Sequence, residues 1–303
     1  GGLQVWGSTI NLNADVTSDS TQTYTGAVTL GADATLTLAG LAAAAIDLDS
    51  HSLTVTESGT GSVTGIISGA GALIKSGAGT LTLSGANTYT GSTTISGGKL
   101  TIGGSGSLDA GTYAANIVNE ATFEYASTVD QLLLGIISGS GSIDKSTSSV
   151  SRLSLAGQNT FVGGASVSAG QLALYHGAGA GTGTITLAAA STLLVRGGLT
   201  VSNAIALTGS ATIEVAPLQL QYLIVGGGGA GGNTDAGGGG AGGVLSNLDV
   251  SLLSLSEQAY DIVVGAGAPA ATTRGQVGAN GGASSAFGVS ADGGGGGSGS
   301  SGT

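Results

Sequence analysis

One stretch of this chain is written twice. GIISGAGALIKSGAGTLTLSGANTYTGSTTISGGKLTI (65–102) returns in looser form as GIISGSGSIDKSTSSVSRLSLAGQNTFVGGASVSAGQLAL (135–174). Gly65, Gly69, Gly71 and Lys75 recur as Gly135, Gly139, Gly141 and Lys145. After a two-residue insertion, Gly85, Asn87, Tyr89, Gly91, Gly98 and Leu100 recur as Gly157, Asn159, Phe161, Gly163, Gly170 and Leu172. An earlier echo, TYTGAVTLGADATLTL (23–38), puts Tyr24 and Gly26 in the place of Tyr89 and Gly91, and GGLTVSNAIALTGSATIEV (197–215) keeps the vocabulary without the aromatic. Internal repetition of this kind is the mark of a solenoid, in which no unit buries its apolar face alone and stacked neighbours share one core.

Within each unit the apolar residues alternate. Leu81 and Leu83 fall on one face of TLTL (80–83), with Thr80 and Thr82 on the other, and KLTI (99–102) turns Leu100 and Ile102 inward with Lys99 and Thr101 outward. Period-two alternation over short runs bounded by Gly, Ser and Asn reads as strands joined by turns. The composition agrees. Glycine numbers 61 and charged residues are 8%, which leaves few helix formers and few surface ion pairs. The expectation is an all-β chain whose residues 1–216 form a right-handed parallel β-helix. At roughly 20–25 residues per coil that gives about nine or ten coils and a rod about 45 Å long. A β-sandwich is the alternative, disfavoured by the repeats and the short strands.

GAGTLTLSGANTYTGSTTISGGKLTI resembles the autotransporter-associated β-strand repeat of bacterial passenger domains, closely over 65–102 and in degraded form over 135–174, where Ser148–Leu155 lacks the G-x-G-T-L-T-L core. STINLNADVTSDSTQTYTGAVTLGADATLTL (8–38) is similar to segments of filamentous-haemagglutinin-like exoproteins. The resemblance implies a secreted or surface-displayed β-helix with an adhesive or structural role, and no substrate. Tyr24, Tyr89 and Phe161 each precede x-Gly. They read either as aromatics stacked at a coil corner or as an exposed ladder for sugars.

Composition shifts after Pro217. GGGGAGG occurs at 226–232 and 237–243 and a third glycine run at 293–297, alternating with the apolar segments YLIV (222–225), VLSNLDVSLLSL (244–255) and YDIVV (260–264). A flexible linker would not need those segments. Residues 217–303 are therefore expected to be a glycine-rich domain of short strands and polyglycine-type helices at three residues per turn. YLIVGGGGAGG, YDIVVGAGA and GANGGASSAFGV resemble the glycine-rich domains of phage tail-fibre tips and large exoproteins. The chain stops inside that pattern, so the domain is expected to be truncated or completed by a partner. The resemblance nominates Asn233, Thr234 and Asp235, with the 269–277 loop containing Arg274, as receptor-contact loops.

Candidate chemistry is sparse. The G-x-G-x-x-G at 226–231 lacks the following helix that a nucleotide fingerprint requires. Asp47, Asp49 and His51 share one face of IDLDSHSL and could hold a metal, but they read better as the solvated side of a strand whose Ile46 and Leu48 point inward. Glu120 and Glu124 would stand about 13 Å apart on a strand, too far for paired-carboxylate hydrolysis. His51 and His176 sit in no nucleophile motif. No catalytic, cofactor-binding or metal residue is nominated, and no enzyme is expected.

A net charge of −11 with six dispersed cations leaves no footprint for nucleic acid. The absence of cysteine excludes disulfides, and the absence of methionine, including at position 1, reads as a processed product or an internal fragment. The longest apolar runs fall short of a membrane span. The expected function is that of an extracellular structural or adhesive protein that associates with copies of itself into a filament. The alternative is a monomeric rod whose glycine-rich tip binds a surface glycan or protein.

Overall fold

The computed structural model describes residues 2–147, 150–233, 235–247, 253–255 and 260–299. The chain divides into two compact units, Gly1–Ala216 and Pro217–Thr303. Thr234 lies outside the described residues.

The first unit is a parallel β-solenoid of about eleven turns, slightly more than the sequence spacing suggests. Among the described residues its strands form three sheets of 13, 7 and 6 strands, and every pairing between them is parallel. From Thr93 to Leu155 the chain visits the 7-stranded, the 13-stranded and then the 6-stranded sheet in turn, and from Ala165 to Ala216 its strands alternate between the 13-stranded and the 6-stranded sheets. Coil length follows from the register. Leu73 pairs with Thr93, Thr93 with Ile117 and Ile117 with Ile137, steps of 20, 24 and 20 residues. Strands run from two residues (Ile67–Ser68) to ten (Thr21–Leu30). The one helical element among the described residues is the 3₁₀ turn Asp109–Gly111.

Alternation does its work at the core. Leu81, Leu83, Leu100, Ile102, Phe123, Tyr125, Ile143, Leu153, Leu155, Leu172 and Leu174 are all fully buried in one continuous cluster running the length of the solenoid. Each coil adds a layer of inward aliphatic and aromatic side chains that its neighbours desolvate.

The two copies of the repeat do not lie on the same faces. Leu73–Ser76 belongs to the 7-stranded sheet, whereas its counterpart Ser142–Lys145 belongs to the 13-stranded one. Thr80–Leu83 is in the 13-stranded sheet and Arg152–Leu155 in the 6-stranded one. Thr93–Ile95 and Ala165–Val167, then Lys99–Gly104 and Gln171–Leu174, shift by the same step. The second copy is thus turned by one side of the triangle, because about 70 residues separate the copies and each coil takes about 20. The corner glycines are spaced to match: a Cβ on Gly85 would lie 2.1 Å from the Gly65 carbonyl oxygen, and one on Gly157 would lie 2.2 Å from that of Gly135.

The second unit contains short antiparallel pairs: Leu218–Leu220 with Leu253–Leu255, Leu223–Val225 with Val244–Ser246, and Ile262–Val263 with Ser284–Ala286 and Val289–Ala291. Between them the glycine runs bond to one another at every third residue. The amides of Gly226, Gly229 and Gly232 donate to the carbonyls of Gly243, Gly240 and Gly237, while those of Gly237, Gly240 and Gly243 donate to Ser298, Gly295 and Asp292. Gly227 and Ala230, offset by one, donate to Gly282 and Ala279. A small apolar cluster of Ile224, Ala286 and Ala291 lies among the pairs.

Candidate functional site

The repeated polar and aromatic residues are inside the solenoid. Tyr89 and Phe161 are fully buried and Tyr24 nearly so, so none offers a ring to a sugar. Tyr89 Oη lies 2.7 Å from Thr93 Oγ1, which lies 2.8 Å from Tyr113 Oη, and Tyr113 donates to the Gly91 carbonyl at 2.5 Å. Because Tyr113 spends its one proton on Gly91, Thr93 donates to Tyr113 and Tyr89 donates to Thr93. Burial raises the phenol of Tyr89 well above its ordinary range and that of Tyr113 to about 12. In the second copy Phe161 and Ala165 stand where Tyr89 and Thr93 stand in the first, so the bonded pair is replaced by an apolar one.

Lys75 and Lys145 point inward, in phase with Leu73 and Ile143, and are fully buried. Lys75 Nζ donates to the carbonyls of Ser76, Gly77 and Gly97, and Lys145 Nζ to those of Ser146 and Thr147 while standing 5.8 Å from the centre of the Tyr125 ring. Glu57, also fully buried, accepts from Leu41 N through Oε2 at 3.3 Å, and its Oε1 has no hydrogen-bond partner among the described residues. Burial outweighs the Leu41 bond and the Lys75 charge and pushes the Glu57 carboxyl up to about 7.

The acidic candidates have structural roles. The strand carrying Ile46 ends at Asp47, so Asp49 and His51 occupy the following turn rather than one strand face, with Asp49 at φ 49°. Asp47 accepts from Asp49 N, and His51 Nδ1 lies 3.7 Å from Asp33. Glu120 precedes the strand Thr122–Ser127 that holds Glu124. It accepts both the amide and the hydroxyl of Ser140, while Glu124 gathers Thr101, Ser146 and Lys99. Among the described residues no cluster of His, Asp and Glu is arranged to hold a metal ion. Nor does a helix follow Gly226–Gly231.

Two surface features remain. In the second unit the nominated loops meet, Asn233 N donating to the Gln276 carbonyl and Gly275 N to that of Asn233. Asp235 and Arg274 are exposed beside this junction. On the outer face of the 6-stranded sheet lies a groove of about 540 Å³ lined by Asp130, Arg152, Ser154, Tyr175 and Arg196. The groove was missed because its residues come from successive coils. Laid out at the coil period, Leu134, Ala156, Tyr175 and Arg196 fall in one column, separated by 22, 19 and 21 residues.

Comparison with known proteins places two families on this architecture. The passenger-associated-transport-repeat model matches residues 73–102 and 151–174. The match supports a passenger-like repeat protein. The two matched segments are the ones the solenoid sets on different faces. A glycine-rich domain model matches residues 200–303, beginning inside the last solenoid coil rather than at Pro217. No curated protein and no solved structure matches the chain. Among the described residues no helix is long and apolar enough to cross a membrane.

Proposed function

We propose that the protein is an extracellular structural or adhesive rod that associates with further copies of itself through the exposed end of its solenoid. The observation that carries this reading is the last coil. Ile205 and Leu207 stack on Ile185 and Leu187, and Ile213 and Val215 on Leu193 and Val195. The lower members are buried, whereas the upper four are 41%, 59%, 50% and 64% exposed. These side chains occupy core positions on which no further coil of the first unit stacks among the described residues. The strands Ile205–Leu207 and Thr212–Ala216 also end their sheets, leaving backbone groups open to another strand. A copy that stacks a coil here makes a heterologous contact, which propagates into a filament when it does not close. Extracellular placement rests on the repeat family, which takes its name from transported passengers. No catalytic role is part of this reading.

The glycine runs read as extended helices of three residues per turn, supported by the three-residue step of their hydrogen bonds. A second reading, in which this unit is a receptor-binding tip, is favoured by the junction of the Asn233 and Gln276 loops.

Sedimentation and negative-stain microscopy of the whole chain test the first reading. Rods that lengthen with protein concentration are expected, and the double substitution Ile213→Lys, Val215→Glu is expected to return them to single rods. Wild-type and variant chains that both stay single at all concentrations would overturn it, and attention would pass to the loop junction.

A further inference from the structure

We propose that the groove on the 6-stranded sheet binds an acidic saccharide, a sugar chain carrying carboxylates of the uronic-acid type. Most positive charges of the solenoid are already committed. Lys75 and Lys145 are buried and spent on backbone carbonyls. Lys99 is paired with Glu124 at 3.2 Å and Arg152 with Asp130 at 3.3 Å. That leaves Arg196, whose guanidinium has no partner among the described residues and which lines the groove. Two of the chain's three arginines therefore face one depression of a molecule that carries −11 overall.

The groove's form follows from the sheet. The outward column along its middle is Leu132, Ser154, Ala173 and Leu194, an apolar floor in which Ser154 and Ala173 are nearly buried. One rim is Asp130 with Arg152, the aspartate accepting the Arg152 amide at 2.8 Å as well as its side chain, so that this guanidinium is held in place. The other rim is the column Leu134, Ala156, Tyr175 and Arg196. The preceding residues of that column pair directly, Leu133 with Leu155, Leu155 with Leu174 and Leu174 with Val195. Tyr175 and Arg196 therefore stand side by side on adjacent coils. The rims are separated by about 13 Å of strand, room for a short oligosaccharide rather than a single ion.

Each element suits one feature of such a ligand. The planar guanidinium of Arg196 matches a carboxylate in two-point fashion. Tyr175, 39% exposed, presents an aromatic body to the apolar face of a sugar ring while its hydroxyl stays in water. The Asp130–Arg152 pair supplies both an acceptor and donors for sugar hydroxyls. The overall negative charge opposes an acidic ligand at long range. That opposition is screened beyond about 8 Å at physiological salt, whereas the contact to Arg196 is not. A neutral sugar would use Tyr175 and the floor and leave Arg196 idle.

Isothermal titration calorimetry of the whole chain with trigalacturonate, and with maltotriose as the neutral control, tests the assignment. Saturable binding to trigalacturonate is expected, at least about tenfold tighter than to maltotriose. Arg196→Gln and Tyr175→Ala are each expected to weaken it about tenfold, with unchanged thermal midpoints because both side chains are at the surface. Arg274→Gln, in the other unit, is expected to bind like the wild type. Absence of binding, equal binding of both sugars, wild-type binding by Arg196→Gln, or loss of binding in Arg274→Gln would each overturn the proposal.

Discussion

Asn87 and Asn159 make the same bridge between coils from two different sides of the solenoid. Asn87 Oδ1 accepts from Ile67 N one coil away at 2.9 Å, while its Nδ2 donates to the Ser107 carbonyl at 2.9 Å one coil the other way. Asn159 accepts from Ile137 N at 2.7 Å and donates to Gly179 at 2.6 Å. Both are buried. Each side chain thus replaces ladder hydrogen bonds at a corner where no strand forms, and a buried backbone group left bare there would be costly. Alanine at position 87 strands the buried Ile67 amide, while the Ser107 carbonyl keeps the main-chain amide of residue 87, which donates to it at 2.9 Å. Asn87→Ala is expected to lower stability by about 1–3 kcal/mol, and Asn87→Asp by at least as much because a carboxylate cannot donate. Urea denaturation followed by circular dichroism checks both; a cost below about 0.5 kcal/mol for each would show that water replaces the bridge.

Gly98 marks a tighter constraint. It turns the corner between Ile95 and Lys99 at φ 66°, and a Cβ there would lie 2.1 Å from the Gly79 carbonyl oxygen. Its neighbour Gly97 has no positive φ, and its nearest contact would be 3.1 Å. Gly98→Ala is expected to cost about 1–3 kcal/mol, and Gly97→Ala clearly less. Equal thermal midpoints for the two variants would contradict a backbone-based role for Gly98.

The Tyr89–Thr93 pair offers a test written into the chain, since the second repeat already carries Phe161 and Ala165 instead. Tyr89→Phe leaves Thr93 without its donor, and Thr93→Ala leaves the Tyr89 hydroxyl buried with no acceptor. Each single change is expected to cost about 1–2 kcal/mol, and the double change less than the sum, because removing both partners removes the unsatisfied group. A strictly additive double-mutant cycle would mean that the two hydroxyls act independently.

Much of this was legible in the sequence, and the rest was hidden for definite reasons. Leu81, Leu83, Leu100 and Ile102 announced strands and their inward face through alternation alone, and Asn87, with its repeat partner, announced that the corners were built alike. The face shift between the copies was not visible, because it depends on the ratio of repeat spacing to coil length. Lys75 and Lys145 were misjudged by omission. They fill inward positions of the alternation, but a lysine is read as surface unless the carbonyls that receive its ammonium are known. Arg152, Tyr175 and Arg196 are further than a strand apart in sequence, so only the register brings them to one groove.

The buried ionisable groups give the solenoid a definite pH response. Glu57 has its carboxyl raised from the ordinary 4.5 to about 7 by burial, against the weaker pull of the Leu41 amide and Lys75. A raised carboxyl means that the folded chain holds its proton more tightly than the unfolded chain. The associated stability is therefore complete below about pH 4.5 and is lost as pH rises through about 7. Lys145 behaves in the opposite sense. Burial lowers its ammonium from 10.5 to about 8, with Asp130 pulling the other way, so its penalty is absent above about pH 10.5 and grows as pH falls towards 8. Stability from these two groups accordingly passes through a minimum between pH 7 and 8. Glu124, lowered overall by its hydrogen bonds and Lys99 against the opposing effect of burial, loses its contribution only as pH falls below 4.5 and so acts outside both windows. Thermal midpoints measured from pH 4 to 10 should show that Glu57→Gln removes the fall between 4.5 and 7, and that Lys145→Met removes the rise between 8 and 10. Profiles for either variant that run parallel to the wild type through its window would show that the group titrates in the folded chain as it does in water.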